Sequence, residues 1–290
     1  MAVERTSASS SASILSRAAR LAEAAHLETL AASATVHELM KLPLGVLLAI
    51  TCAIQVSAEG TSSSRPATEK SRHVSYSVGT SHLGSRVDGF KIDFDLPVVK
   101  GAPELGEVVA RSMRRFRERE ITNLRRYCNE LATASEKCEG DESVGFDVVF
   151  TDEHLLSIRL ECSSDSKGAA HPSHGTETFT WTVRKPHLLV LRDLFRGRHQ
   201  YLPRISELAR AKLRADIELS ELTDPEWIDR GTEPTEENFR AWAISDHGLS
   251  VVFVQYQVAA YVAGPQEIQL SWKELTDLVD PNGPIGYQLK

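Results

Sequence analysis

The chain has 290 residues, 41% hydrophobic and 25% charged, an ordinary globular balance that provides for one sizeable core or two smaller ones and calls for no exotic class. A formal net charge of −7 argues against general affinity for nucleic acid or an anionic membrane, since both rest on Lys and Arg neutralising phosphate. Any contact with a polyanion would have to be local.

Residues 1–39, rich in Ala and Ser, read as an over-extended start, the initiator then being Met40, or as a short cytoplasmic segment with an apolar stripe through Ile14, Leu15, Ala18, Leu21, Ala22 and Ala25. From Met40 the pattern becomes a lysine, an apolar run from Leu42 to Ile54, then Val56-Ser57-Ala58. That three-part layout is a secretory signal peptide over residues 40–58, with cleavage after Ala58. Pro43, Gly45, Thr51 and Gln55 interrupt the run, which is shorter than the roughly 20 apolar residues of a membrane span. Export is therefore expected, with membrane attachment only if residues 42–58 are retained as an anchor. Residues 59–88, rich in Ser, Thr and Gly, read as a flexible linker.

Order is expected near Gly89. Phe90, Ile92, Phe94 and Leu96 alternate with polar residues as a half-buried strand that Pro97 ends. From Pro103 to about Leu131, Leu105, Val108, Val109, Met113, Phe116, Leu124 and Cys128 follow a helical period. The opposite face carries seven arginines from Arg111 to Arg126, interleaved with Glu118 and Glu120, which reads as a solvated face. Strands follow at Gly145–Thr151 and Leu155–Cys162, joined by Asp152-Glu153-His154, then at Thr176–Arg184, with a return over His187–Leu191.

Tyr201 to about Leu219 is again helical, and Glu221–Asn238 reads as an acidic, proline-containing loop. A hairpin is expected from Phe239–Ile244 and Leu249–Tyr256 across Ser245-Asp246-His247-Gly248. A strand over Glu267–Leu270 then leads into Ser271 and Glu274, at capping-box spacing, which should start a final helix. The order of elements implies an α+β fold, a largely antiparallel sheet packed with about three helices. It divides as an α+β subdomain over residues 89–160, a second domain over residues 161–280 and a tail over residues 281–290. Among the cysteines, Cys128 and Cys138 could close a short polar loop in an oxidising compartment, but Cys162 is also available and the pairing is open.

Several phrases carry a resemblance: Gly168-Ala169-Ala170-His171-Pro172, Phe179-Thr180-Trp181 and Leu191-Arg192-Asp193-Leu194-Phe195, then Phe239 to Ile244, Gly248-Leu249, Phe253, Tyr256 and Ala263-Gly264-Pro265. In that order they resemble the RsiV-like extracytoplasmic domain family, closely over Cys162–Val279 and more loosely over Phe90–Leu160. The resemblance implies an α+β domain outside the cytoplasmic membrane, in a family whose activities are mostly binding. Its settings include an anti-sigma factor, the accessory region of a peptidoglycan deacetylase and secreted mycobacterial proteins.

The stretch GAAHPSHG, with His171 and His174 three residues apart, could be half of a metal site. Pro172 biases His171 towards extended backbone and the flanking glycines favour a loop, so a strand-joining bend whose histidine ring satisfies backbone groups is the better reading. Hydrolase and phosphate-binding signatures are missing from the sequence, and Asp93 and Asp95, two apart on a strand, read as a polar strand face. Asp193 reads as a turn cap, and Phe253 and Trp181 as core. Tyr256 and Tyr261, near a sheet edge, could stack on a sugar or anchor a protein. The expectation is a secreted or periplasmic, non-enzymatic binding protein without metal or cofactor. It would recognise a cell-wall glycan or an envelope protein such as a lysozyme-like one through His171, Pro172, Tyr256 and Tyr261. The alternatives are a membrane-tethered anti-sigma-like sensor with residues 1–39 in the cytoplasm, and a cell-wall hydrolase or deacetylase accessory protein.

Overall fold

A computed structural model describes residues 76–133, 137–197, 200–216, 219 and 221–289; the expected leader and the segment before it lie outside the described residues. The described elements are β1 (Ser77–Val87), β2 (Phe90–Lys100), α1 (Pro103–Thr133), β3 (Gly140–Thr151), β4 (Leu155–Ser166), β5 (Ser173–Thr182), α2 (Tyr201–Ala215), α3 (Pro225–Gly231), β6 (Trp242–Ser245), β7 (Gly248–Phe253) and β8 (Gln266–Leu270). This is the expected α+β class. The strands form a five-stranded sheet, β1-β2-β3-β4-β5, and a three-stranded sheet, β6-β7-β8. All pairings are antiparallel except β2 with β3, which α1 joins as a crossover.

Alternation along β4 sorts its side chains between two cores. Leu156, Ile158 and Leu160 join Phe90, Ile92, Phe94 and Trp181 beneath the apolar face of α1, which brings Leu105, Val109, Met113 and Phe116. The Trp181 indole N–H also donates to Ser112 of α1 (3.3 Å). Leu155 points the other way, into a core with Ile205, Ala209 and Leu213 of α2, Ile244, Leu249, Val251 and Phe253 of the smaller sheet, and Leu275 and Val279. Trp181 and Phe253 are both fully buried, as their alternation implied. The disulfide pairs Cys128 with Cys138, tying the end of α1 to the start of β3, and leaves Cys162 free.

The sheets meet through polar groups. Strand β6 is an edge strand, and the backbone N–H groups on its open side need partners once buried. Trp242 donates its backbone N–H to the Thr178 hydroxyl (2.9 Å), and Ile244 donates to the Ser157 hydroxyl (3.1 Å). The Ser157 hydroxyl is itself 2.8 Å from that of Thr180, and both residues are buried.

Several boundaries differ from the expected ones. Residues 77–87, read as linker, form β1, because Asp88 and Gly89 both take positive φ (48° and 101°) and fold it onto β2 as a tight hairpin. Pro97 does not end β2: it lies past the last β2–β3 pair, at Phe94, where β2 has a neighbour on one side only. The division at residue 160 falls inside β4, whose alternation runs on. Residues 187–189 do not form a full strand; they cap the edge of β5 through Leu189 N–H to Thr180 O (2.8 Å) and Thr182 N–H to His187 O (3.1 Å) before a 3-10 turn at Leu191–Leu194.

Ser271 and Glu274 do exchange capping bonds, but a train of turns comes next instead of a helix. Residues 281–289, within the expected tail, pack against the domain. Ile285 is fully buried, and Tyr287 donates its hydroxyl to Asp152 (2.6 Å) and packs on His154.

Replacing Ser157 with Ala leaves the Ile244 N–H buried without its acceptor, at a cost of about 1–3 kcal/mol. Urea unfolding of the S157A variant should show a lower midpoint with an unchanged slope.

Candidate functional site

Two loops build the site. The first is the β4–β5 bend, residues 167–172, where Gly168 takes φ +91° and Lys167 N–H donates to Glu139 O (2.9 Å). This is the expected strand-joining bend, and its histidine does meet a backbone group: His171 Nδ1 lies 3.0 Å from the Pro172 carbonyl. His174 sits within β5, opposite Ser163.

The second loop succeeds β7 and runs from Val254 to Pro265. Within the loop the side chain of Gln257 makes the most fastening bonds. Its amide N–H donates to Gly231 O (3.0 Å) and Asn238 O (2.9 Å), while its oxygen accepts from Val254 N–H (3.1 Å). Thr223 donates to Val258 O (2.6 Å), and the Trp227 indole donates to Tyr256 O (2.9 Å).

Those contacts come largely from α3 and its flanks, a stretch expected to be an acidic loop. Asp224 caps it by accepting from Trp227 N–H (2.7 Å), and Pro225 occupies the first turn, where no N–H is needed. Gly231 at its end is required by proximity: a Cβ there would lie 2.0 Å from the Gln257 carbonyl. An Asp-Pro pair ahead of Trp227 and Ile228 is the signal in the sequence for this helix.

So held, the loops bring all four expected residues together. Tyr256 Oη lies 3.2 Å from His171 Nε2, and Tyr261 donates its hydroxyl to Pro172 O (2.9 Å). Tyr261 also stacks on the His171 ring at 3.8 Å between centroids, with Tyr256 tilted beside both rings. One proton arrangement satisfies every contact: Nδ1–H of His171 donates to the Pro172 carbonyl, and Nε2 accepts from Tyr256.

The cluster is a surface feature. Tyr256 is 53% exposed and Val262, beside Tyr261, 75%. Tyr256 also holds φ +65°, a left-handed backbone that costs a non-glycine residue about 1–2 kcal/mol. A residue held in that conformation with its ring in solvent is placed there by its surroundings, through the Trp227 and Gln257 bonds.

Other candidate groups serve local structure. Asp193 accepts from Val190 N–H (3.0 Å) and so closes the 3-10 turn, as its place in the sequence implied. Asp93 and Asp95 are half exposed and face His82 of β1, at 3.5 Å and 3.0 Å. Burial, reinforced by Glu120, Glu177, Glu142 and Glu161, pushes the Cys162 thiol up to about 12, which suppresses its nucleophilic form. Among the described residues no group of three or more His, Cys, Asp or Glu is placed to hold a metal ion, and no helix is long and apolar enough to cross a membrane.

The layering and the loops that carry this surface define an α+β domain, and comparisons with known proteins are consistent with that class. Residues 192–273 match the family model described as "Protein of unknown function (DUF3298)". The peptidoglycan-N-acetylmuramic acid deacetylase PdaC of Bacillus subtilis strain 168 is 24% identical over 190 residues, covering 66% of this chain and 39% of PdaC. The chain thus spans about two fifths of that relative's length. Two crystal structures of DUF3298 family proteins share the fold at 18% identity and a TM-score of 0.52. The one from Pseudomonas aeruginosa PAO1 covers 71% of this chain and 95% of its own, the one from Bacteroides fragilis NCTC 9343 78% and 98%.

Replacing Tyr256 with Gly removes the left-handed strain together with the ring. Thermal unfolding of Y256G should show stability unchanged or raised by up to about 1 kcal/mol. Native Cys162 should react with iodoacetamide at pH 8 at least about tenfold more slowly than in the unfolded chain, as followed by mass spectrometry.

Proposed function

We propose that the protein is a secreted or periplasmic, non-enzymatic binding protein of RsiV-like type, whose His171–Pro172–Tyr256–Tyr261 surface recognises the glycan of the cell wall. The observation that carries this reading is the exposed Tyr256 ring, held at positive φ and hydrogen-bonded to His171. Sugars present apolar C–H faces edged by hydroxyls. A tyrosine ring offers a stacking face, and its phenol oxygen, whose proton goes to His171, keeps lone pairs that accept from hydroxyls of the rim.

The likeness to PdaC, named for its action on peptidoglycan, supports a cell-wall setting. Binding without chemistry suits the cluster itself, because its two phenols and one imidazole are spent on one another and on the Pro172 carbonyl. Export suits the Cys128–Cys138 disulfide, which persists in an oxidising compartment.

The test is co-sedimentation of the purified protein with insoluble peptidoglycan. Tyr256→Ala and Tyr261→Ala, each with its fold checked by circular dichroism, should lower the bound fraction at least about fivefold, the loss of one stacking contact. Retention of wild-type binding in both variants, or release of acetate or reducing ends by the parent protein, would refute the reading.

A further inference from the structure

A second, separate feature lies at the other end of the β5 edge: a cleft of about 290 Å³ whose lining includes Thr178, Leu188, Val190, Arg192, Tyr201 and Trp242. Its volume suits a short ligand.

Three observations describe what would fill it. Leu188 and Val190 are 42% and 43% exposed, so the cleft presents apolar side chains to solvent. Tyr201 is 1% exposed and its hydroxyl has no hydrogen-bond partner, an uncompensated polar group that a native interior rarely keeps. Glu236, then Arg192, both in the lining, are the charges that act most on that hydroxyl, followed by Asp193, whose carboxylate already accepts from Val190 N–H; the Arg192–Glu236 contact is long (3.5 Å) and exposed, so it parts at little cost. Arg240 is the more committed cation, 2.7 Å from Glu237.

The fourth observation selects the ligand class. Residues 187–189 use the outward backbone groups of Thr180 and Thr182. By the period of two, the backbone N–H and C=O of Thr178 face the same side, at the cleft. An edge strand offering peptide hydrogen bonds beside apolar side chains and an available arginine matches an extended peptide end.

We propose that this cleft binds the free C-terminal end of a short peptide with small or branched apolar side chains. Its carboxylate is taken by Arg192 and the Tyr201 hydroxyl, its side chain by Leu188 and Val190, and its backbone by Thr178. The inference stands apart from the glycan reading, because none of these residues belongs to the His171–Tyr256–Tyr261 surface.

Calorimetric titration of the full chain with N-acetyl-alanyl-alanine, its C-terminal amide and octanoate tests it. Expected are binding of the acid, at least about tenfold weaker binding of the amide, and weakening of the acid by about fivefold or more in both Tyr201→Phe and Arg192→Gln. Tyr201→Phe should at the same time leave the unliganded protein as stable as the parent or more so, since it removes an unpaired buried hydroxyl. Failure of the acid to bind at millimolar concentration, equal affinity for acid and amide, unchanged affinity in Tyr201→Phe, or tighter binding of octanoate than of the peptide would each overturn the proposal. Tyr256→Ala serves as the control: it should keep peptide binding intact whatever it does to peptidoglycan.

Discussion

The structure depends on how an edge strand is buried. Strand β6 lies on the five-stranded sheet with its open-side N–H groups facing protein, and the Thr178 and Ser157 hydroxyls accept from Trp242 and Ile244 where a further strand would otherwise stand. Unpaired, those two donors would oppose burial of the smaller sheet by about 2–6 kcal/mol, a large fraction of a typical domain's net stability. Paired, they fix which residues of β6 sit over which of β4 and β5, a register that apolar contact alone would leave loose. The two cores on either face of β4 are then joined through one polar seam.

The candidate surface inherits its position from that seam. The β4–β5 bend carries His171 and Pro172, the loop after β7 carries Tyr256 and Tyr261, and the register between the sheets sets the distance between them. Helix α3 supplies the rest, through Trp227 and through the close approach of Gly231 to Gln257. Backbone strain at Tyr256 is tolerated because three side chains hold the loop on both sides of it.

Much of this was legible in the sequence where a pattern was long or chemically specific. The alternation of Leu156, Ile158 and Leu160 and the helical period from Leu105 to Phe116 each locate a face of the first core, and both faces are buried as expected. His171, Pro172, Tyr256 and Tyr261 could be named singly, yet their meeting depends on a pairing of loops 85 residues apart that no local pattern encodes. Strand β1 escaped because its outer face is polar and glycine-containing, although Asp88-Gly89 carried the turn signal. Helix α3 escaped because seven residues in an acidic stretch show too little apolar period. The expected last helix does not form, although Leu275 and Val279 are buried, because the backbone beyond the Ser271–Glu274 capping box is taken by residues 194–196: Arg196 N–H donates to Leu278 O and Asp280 N–H to Leu194 O (2.8 and 3.0 Å).

The central claim, that two loops fastened by α3 present one recognition surface, is tested most directly by amide hydrogen exchange of the intact protein with and without soluble cell-wall glycan fragments. The account predicts that protection on adding the fragments is confined to residues 168–172 and 255–262. Protection elsewhere with these two loops unchanged, or none at saturating fragment, would contradict it.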